Sequence, residues 1–185
     1  MKQVVLMKQV VLGGARSGKT LHALKQAESL WQQGQHNRLI YLATAQAWDA
    51  EMRTKITNHQ KERCDQPWQT DEEPLEIAEH LAQYTKCDII LLDSIGMWVS
   101  NVLLADHLNT ELMIENFIEA VKNCSAHCLF VADEVGQGVV PASKMGRDFR
   151  EYNGGINQEL CALADRVDFV IAGLVQTIKT TEETG

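Results

Sequence analysis

Eight consecutive residues have the types and spacing needed to bind the phosphates of a nucleotide. They fit the pattern G-x-x-x-x-G-K-[S/T] and are Gly13, Gly14, Ala15, Arg16, Ser17, Gly18, Lys19 and Thr20. Glycine lets the backbone turn tightly and bring its N–H groups close to phosphate oxygens. Lys19 adds a charge for the outer phosphates, and the Thr20 hydroxyl is placed to ligate the Mg²⁺ that accompanies a nucleotide. A chance glycine turn is the alternative, but a full match is rare, so the sequence predicts nucleotide binding.

Two acidic residues follow predicted buried strands and are candidates for metal or substrate contact. Asp93 ends the apolar run at residues 88–93 (DIILLD), and after a phosphate loop such an acid holds Mg²⁺ directly or through water. Alone the signal is weak, because acids often end buried strands. Glu134 follows the predicted strand at residues 127–132, where it either reaches the metal or substrate or is merely solvated.

A histidine lies on the apolar face of a predicted helix. Met52, Ile56, His59 and Arg63 recur at helical spacing after Asp49, which is placed to cap the helix. His59 therefore points with the apolar side, towards the sheet or the cleft. By spacing alone, a histidine satisfied inside the core is the favoured interpretation.

Several basic residues allow two interpretations. Lys144, Arg147 and Arg150 repeat every third residue along one side of a predicted helix. Such a stripe suits a phosphorylated substrate, although a solvated face is the more common cause. Lys61 and Arg63 are equally well explained as a solvated face.

The elements that must position these residues alternate between strand and helix. Besides the strands named above, the sequence predicts three more strands, at residues 10–12, 38–43 and 168–172. Helices are predicted directly after the phosphate loop and at residues 74–81, 94–108, 110–124 and 143–165. The last of these is predicted to be interrupted at Gly146, Gly154 and Gly155, and residues 67–74 are predicted to be a connecting segment. This order predicts a single three-layer α/β/α domain over residues 1–185 with a mainly parallel sheet, ending in a frayed tail at residues 180–185.

Composition narrows the class of protein. The net charge of −8 argues against a nucleic-acid partner, and no run of residues is long enough to span a membrane. Five cysteines form no C-x-x-C pair, which predicts a reduced, cytoplasmic compartment. Cys124, His127 and Cys128 lack the usual zinc spacing and are expected to pack in the core. Residues 1–6 (MKQVVL) are repeated at residues 7–12, and we regard the first copy as an extension to which no function is assigned.

A longer series of motifs resembles a known family. The phosphate loop is followed, in order, by YLATA at residues 41–45, D-x-E-M at 49–52, W-x-T-x-E-E-P at 68–74, L-L-D at 91–93, E-V-G at 134–136 and R-x-F-R at 147–150. From about residue 10 to residue 179 the chain resembles the bifunctional adenosylcobinamide kinase / adenosylcobinamide-phosphate guanylyltransferase family of cobalamin biosynthesis. The combination is specific, although each motif alone is not.

The resemblance implies a fold, two reactions and a set of site residues. The fold is that of a RecA-like P-loop NTPase. Adenosylcobinamide is phosphorylated with ATP or GTP, and GMP is then transferred from GTP to that phosphate through a guanylylated histidine, whose position is matched by His59. The family also suggests a homotrimer, and Mg²⁺ is the metal expected with the nucleotide. The implied GTP contacts are Thr44, Ala45, Gln46, Gln60, Lys61, Glu62, Arg63 and Glu72.

Two other functions stay open. One is a monofunctional small-molecule kinase in which His59 is only packed. The other is a non-catalytic nucleotide-binding module.

Overall fold

A computed structural model describes residues 7–34, 36–45 and 67–181, and in this part of the chain helices cover both faces of one seven-stranded sheet. Its strands are β1 (Lys8–Gly13), β2 (Arg38–Ala43), β3 (Trp68–Glu72), β4 (Asp88–Asp93), β5 (His127–Asp133), β6 (Arg166–Ile171) and β7 (Leu174–Thr180). Its described helices are α1 (Lys19–Gln32), α2 (Ile77–Leu81), α3 (Ile95–Leu104), α4 (Thr110–Asn123) and α5 (Lys144–Leu163).

The strand order places the ends of β1, β4 and β5 side by side. The order is β3-β2-β4-β5-β1-β6-β7, with all pairs parallel except β6 with β7. In the register of the sheet Gly13 pairs with Asp133, and Asp93 pairs with Val131. The predicted phosphate loop and two acidic residues therefore meet at one carboxyl edge, where α/β sheets bind ligands.

The core explains why the strands are apolar without interruption. Alternate residues of β4 face opposite sides, with Ile89 and Leu91 in the cluster that includes Leu24 of α1, and Ile90 in the cluster that includes Trp98 of α3. Both faces of a sheet covered in this way are buried, so both sets of side chains are apolar. The predicted three-layer α/β/α fold is confirmed.

The polar segment predicted to be a connector contains a strand. Residues 68–72 (WQTDE) form β3, which pairs in parallel with β2 at the edge of the sheet. Its side chains are mostly exposed or half-buried, so no apolar pattern marked it. The following helix, α2, begins at Ile77 and not at Pro74.

One prediction for the C-terminal part of the chain was wrong. Helix α5 runs through Gly146, Gly154 and Gly155 without interruption, because buried residues on its other face, such as Ile156 and Leu160, hold it on the sheet. Strand β7 extends to Thr180, the residue at which a frayed tail was predicted to begin, and residues 182–185 lie outside those that the structure describes.

Strand β7 forms a hairpin with β6 that the sequence analysis did not predict. The turn contains Ala172 with φ 51° and Gly173 with φ 80°. Positive φ values at both central residues are the geometry of a tight antiparallel hairpin turn.

Three cysteine and histidine side chains near the start of β5 are packed as expected. Cys124, His127 and Cys128 are all buried. Within the described ranges there is no group of three or more residues able to hold a metal ion. None of the described helices combines the length and apolar character needed to cross a membrane.

Candidate nucleotide-binding site

The phosphate loop joins β1 to α1 and is held by backbone hydrogen bonds. The N–H of Ser17 donates to the carbonyl of Gly14 at 3.3 Å, and the N–H of Gly173 donates to the carbonyl of Ser17 at 2.8 Å. Arg16 and Gly18 take positive φ values of 55° and 95°. The turn between β6 and β7 thus supports the loop from behind, and the strand–loop–helix context predicted from the sequence is confirmed.

Helix α1 begins directly after the loop, at a glycine that has no side chain with which to cap it. Its N-cap residue is Gly18, which forms no side-chain hydrogen bond to the first turn. N–H groups at an uncapped helix start, together with the helix dipole, are suited to bind an anion. The loop and the first turn of α1 therefore form a phosphate cradle.

The first glycine of the motif is required by packing, and the second is not. A Cβ atom on Gly13 would lie 2.4 Å from Ser17 Oγ and 2.7 Å from the carbonyl oxygen of Val170. A Cβ atom on Gly14 would meet none of the described residues within 4 Å. Gly13 therefore allows the loop to close against β6.

The motif lysine forms an ion pair that the sequence analysis did not identify. Lys19 Nζ lies 2.7 Å from Asp133 Oδ1 and donates to the carbonyl of Gly14 at 3.2 Å. Asp133 is the last residue of β5, next to Gly13. Its position after an apolar strand was the only signal in the sequence, and the contact with Lys19 depends on the order of the strands.

Asp93 and Thr20 offer oxygen ligands at the same edge of the sheet. Asp93 ends β4, and its Oδ2 atom accepts a hydrogen bond of 2.7 Å from the hydroxyl of Tyr41. Thr20 lies in the first turn of α1 and is partly exposed. Carboxylate and hydroxyl oxygens are hard ligands of the kind Mg²⁺ prefers, so the chemistry of these two residues fits that ion.

Thr44 connects the end of β2 to the start of α3. Its side chain is 0% exposed; its hydroxyl donates to the carbonyl of Ser94 at 2.9 Å and accepts from the N–H of Ser94 at 2.8 Å. Its own carbonyl accepts from Asn101 Nδ2 at 2.8 Å. A nucleotide contact by the Thr44 side chain stays a prediction. The contact would require its hydroxyl to become exposed, whereas in this structure the hydroxyl is buried and hydrogen-bonded to the backbone.

The other predicted nucleotide contacts divide into two groups. Glu72 is exposed at the end of β3, beside Ala43, and Ala45 is half-buried just beyond β2, so both lie at the edge that carries the phosphate loop. The remaining predicted site residues lie outside the residues that the structure describes: Gln46, His59, Gln60, Lys61, Glu62 and Arg63.

The loop after β5 is tied to α5 by the basic residues of that helix. Arg150 Nη2 donates to the carbonyl of Gly136 at 2.6 Å, and Arg147 Nη1 donates to the carbonyls of residues 141 and 142 at 3.2 and 2.7 Å. Glu134 Oε1 accepts from the N–H of Gly136 at 2.6 Å. In this arrangement the two arginines and Glu134 order the loop.

A buried carboxylate anchors α1 to the sheet behind the phosphate loop. Asp168 Oδ2 lies 2.8 Å from His22 Nε2 of α1 and accepts from Gln9 Nε2 at 3.0 Å, while Arg166 Nε and the Thr177 hydroxyl donate at 3.0 and 2.7 Å. Burial raises the pKa of Asp168, but the hydrogen bonds from Arg166, His22 and Thr177 outweigh burial and leave the pKa below its ordinary value. The carboxylate is therefore charged at neutral pH and holds the helix that carries Lys19.

Comparison with known protein families matches nearly the whole chain. The profile of the family described as cobinamide kinase / cobinamide phosphate guanyltransferase matches residues 9–178. The bifunctional adenosylcobalamin biosynthesis protein CobU of Escherichia coli is 34% identical over 191 residues, covering 92% of this chain and 98% of that protein. The bifunctional adenosylcobalamin biosynthesis protein CobP of Pseudomonas aeruginosa is 35% identical over 179 residues, covering 94% and 98%.

Comparison with solved structures supports the fold. The flagellar accessory protein FlaH of Methanocaldococcus jannaschii is similar with a TM-score of 0.52 and 12% sequence identity, covering 95% of this chain and 79% of that chain. At this identity the similarity shows the α/β fold alone.

Proposed function

Because the chain belongs to the cobinamide kinase / cobinamide phosphate guanyltransferase family, we propose that it is a bifunctional enzyme of adenosylcobalamin biosynthesis. The observation that carries the proposal is the phosphate loop at the carboxyl edge of the sheet, followed directly by the start of α1 and with the ammonium of Lys19 bound to the loop carbonyl of Gly14. A site of this kind binds a nucleoside triphosphate and holds its phosphates in position for transfer.

The first reaction is a phosphoryl transfer to adenosylcobinamide. The hydroxyl oxygen of its aminopropanol arm attacks the γ-phosphorus of ATP or GTP, the bond from that phosphorus to the bridging oxygen breaks, and the hydroxyl proton is released. The products are the corrinoid phosphate and a nucleoside diphosphate.

The residues of the loop perform most of the work in such a reaction. Backbone N–H groups of the loop and of the first turn of α1 bind the phosphate oxygens, and Lys19 offsets the negative charge on them. Thr20 and Asp93 would hold Mg²⁺, which when bound neutralises further charge on the phosphates. Tyr41 orients the Asp93 carboxylate through its hydroxyl.

The second reaction transfers GMP in two steps. An imidazole nitrogen of His59 attacks the α-phosphorus of GTP, and pyrophosphate leaves. An oxygen of the corrinoid phosphate then attacks the same phosphorus, the P–N bond breaks, and adenosylcobinamide-GDP is released with His59 restored. A neutral imidazole is a good nucleophile near neutral pH, and protonation makes it a good leaving group. The role of His59 is supported by its match to the position of the guanylylated histidine in the family.

Labelling with GTP tests the proposal. Wild type incubated with α-labelled GTP and Mg²⁺ is expected to acquire an acid-labile, base-stable label, because a phosphoramidate bond has this stability. His59→Ala should acquire none, whereas His107→Ala, a change of an exposed histidine, should be labelled like wild type. Absence of label on folded wild type would contradict the guanylyl-histidine step.

The same experiments separate the alternatives. A monofunctional kinase would phosphorylate adenosylcobinamide with γ-labelled ATP but take no α-label. A non-catalytic module would bind GTP without either reaction. Lys19→Ala is expected to impair both reactions, since both need the triphosphate held by one loop, and guanylylation that survived this change would contradict a shared site.

We also propose that the protein is a homotrimer in a reducing, cytoplasmic compartment. The edge strand β7 exposes Leu174, Val175 and Ile178, and Ile171 beside it is also exposed, which suits an interface between copies. The described cysteines are free thiols, as expected in a reducing compartment. A mass of one chain by light scattering at micromolar concentration would contradict the trimer.

A further inference from the structure

Asp133, at the end of β5, is held in place from several sides. Its backbone carbonyl accepts hydrogen bonds from Asn153 Nδ2 at 2.6 Å and Asn157 Nδ2 at 3.0 Å. Its Oδ2 atom accepts from Ser94 Oγ at 3.3 Å. A Cβ atom on Gly96 would lie 2.5 Å from the same oxygen, so the glycine leaves room for the carboxylate. Asp133 is therefore a fixed charge at the site and not a mobile acid of a loop.

This carboxylate is paired with the lysine of the phosphate loop. Lys19 Nζ lies 2.7 Å from Asp133 Oδ1, and the two side chains are only 12% and 27% exposed. An ion pair largely shielded from water is screened less than a surface pair, so the partners attract strongly. A second N–H of the ammonium is bound by the carbonyl of Gly14. Two of the three donors of Lys19 are thus occupied by the protein itself.

A triphosphate must compete with Asp133 for this ammonium. The lysine of a phosphate loop binds the outer phosphates, so on binding it has to leave the carboxylate or be shared with it. In either case a fixed negative charge stays beside the incoming phosphates and repels them. A free triphosphate carries its full negative charge, whereas a triphosphate with bound Mg²⁺ carries two charges fewer, so the repulsion weakens binding of the free anion more.

We propose that Asp133 is a positioning residue that holds Lys19 in the absence of nucleotide and makes the site select metal-bound triphosphates over free phosphate anions. The inference rests on the proposed function only in taking a nucleoside triphosphate as the ligand of the loop. It assigns a role to a residue outside the phosphate-loop motif and explains why that residue carries a carboxylate.

Binding of GTP in EDTA tests the inference without any catalytic turnover. Asp133→Asn keeps the shape of the side chain and removes its charge, so metal-free GTP should bind about tenfold more tightly than to wild type, which is the scale of one partly screened charge near the phosphates. Affinity for GTP with Mg²⁺ should change less, and the ratio between the two affinities should shrink. Asp133→Ser removes the same charge and serves if the amide variant does not fold. Titration calorimetry measures each affinity.

Three controls decide between charge and structure. Asp133→Glu keeps the charge and should retain weak binding of metal-free GTP. Asp148→Asn removes one charge from a part of α5 that the site does not include, and should leave the ratio of affinities unchanged. Guanosine, which has no phosphate, should bind all variants alike.

The result that overturns the inference is distinct from the failure of the proposed function. If Asp133→Asn and Asp133→Ser bind metal-free GTP no more tightly than wild type, or if Asp133→Glu shows the same gain, the carboxylate does not act as stated. A protein that binds GTP but transfers neither group would refute the proposed function and leave this test intact.

Discussion

Substitution of the two adjacent glycines at the start of the phosphate loop should have opposite outcomes. In Gly13→Ala the new methyl group would lie 2.4 Å from Ser17 Oγ and 2.7 Å from the Val170 carbonyl oxygen. The serine side chain has little room because it is buried, and the carbonyl belongs to the backbone of β6. The loop or the strand must therefore shift.

The size of the effect follows from the cost of overpacking. Forcing a methyl group into a close-packed site costs about 1–3 kcal/mol, and the contact with backbone favours about 2–3 kcal/mol here. For a chain of this length that corresponds to a melting temperature lower by about 5–10 °C. Because Ser17 lies in the loop itself, affinity for nucleotide should fall about tenfold or more, since 1.4 kcal/mol of displaced phosphate contacts is a factor of ten.

Gly14→Ala is the matched control. Within the described part of the chain its methyl group meets nothing within 4 Å, and Gly14 is not among the glycines with positive φ. Its stability should equal that of wild type or rise by up to about 1 kcal/mol, because alanine restricts the unfolded chain. Thermal unfolding followed by circular dichroism and titration with GTP measure both variants. If Gly13→Ala melts within a degree or so of Gly14→Ala and binds GTP equally well, the packing argument is refuted.

Two further predictions concern stability and pH. Burial lowers the pKa of His127 to about 4, with a smaller contribution from His36. Between about pH 6.5 and 4 the unfolded chain therefore binds more protons than the folded protein, so the stability of the fold decreases as the pH falls through that window. His127→Gln should remove about 2–3 kcal/mol of this pH dependence in urea unfolding, whereas a loss equally large in the exposed-site control His107→Gln would contradict the assignment. Asp168→Asn should lower stability at pH 7 by about 2–4 kcal/mol, because it breaks a buried charged network. The pKa of Asp168 in the folded protein lies below its ordinary value. The greater stability of wild type over Asp168→Asn should therefore be present above the pKa of the unfolded chain and vanish as the pH falls through the pKa of the folded protein. A difference in stability that did not change down to pH 2 would contradict this.

Features that depend on neighbouring residues could be predicted from the sequence. The phosphate loop needs glycine conformations, a lysine and a helix start within eight residues, and these requirements are visible in the order of residues 13–20. The apolar runs of β1, β2, β4 and β5 predicted buried strands for the same reason, because burial on both faces demands apolar side chains throughout. Strand β3 was not predicted, because an edge strand is held mainly by backbone hydrogen bonds. These bonds form with polar side chains as well as with apolar ones, so the strand needs no apolar pattern.

Which distant residues meet depends on how the strands and helices assemble. β5 lies between β1 and β4, and this order brings Asp133 to Lys19 and Ser94, which no local pattern indicates. From their spacing alone, the arginines of α5 suited a phosphorylated ligand. The fold instead brings the loop after β5 within their reach, and they donate to its carbonyl groups. Strand order follows from the packing of both sheet faces over the whole chain, so the partner of a charged side chain is settled when the layers assemble and cannot be read from its neighbours in sequence.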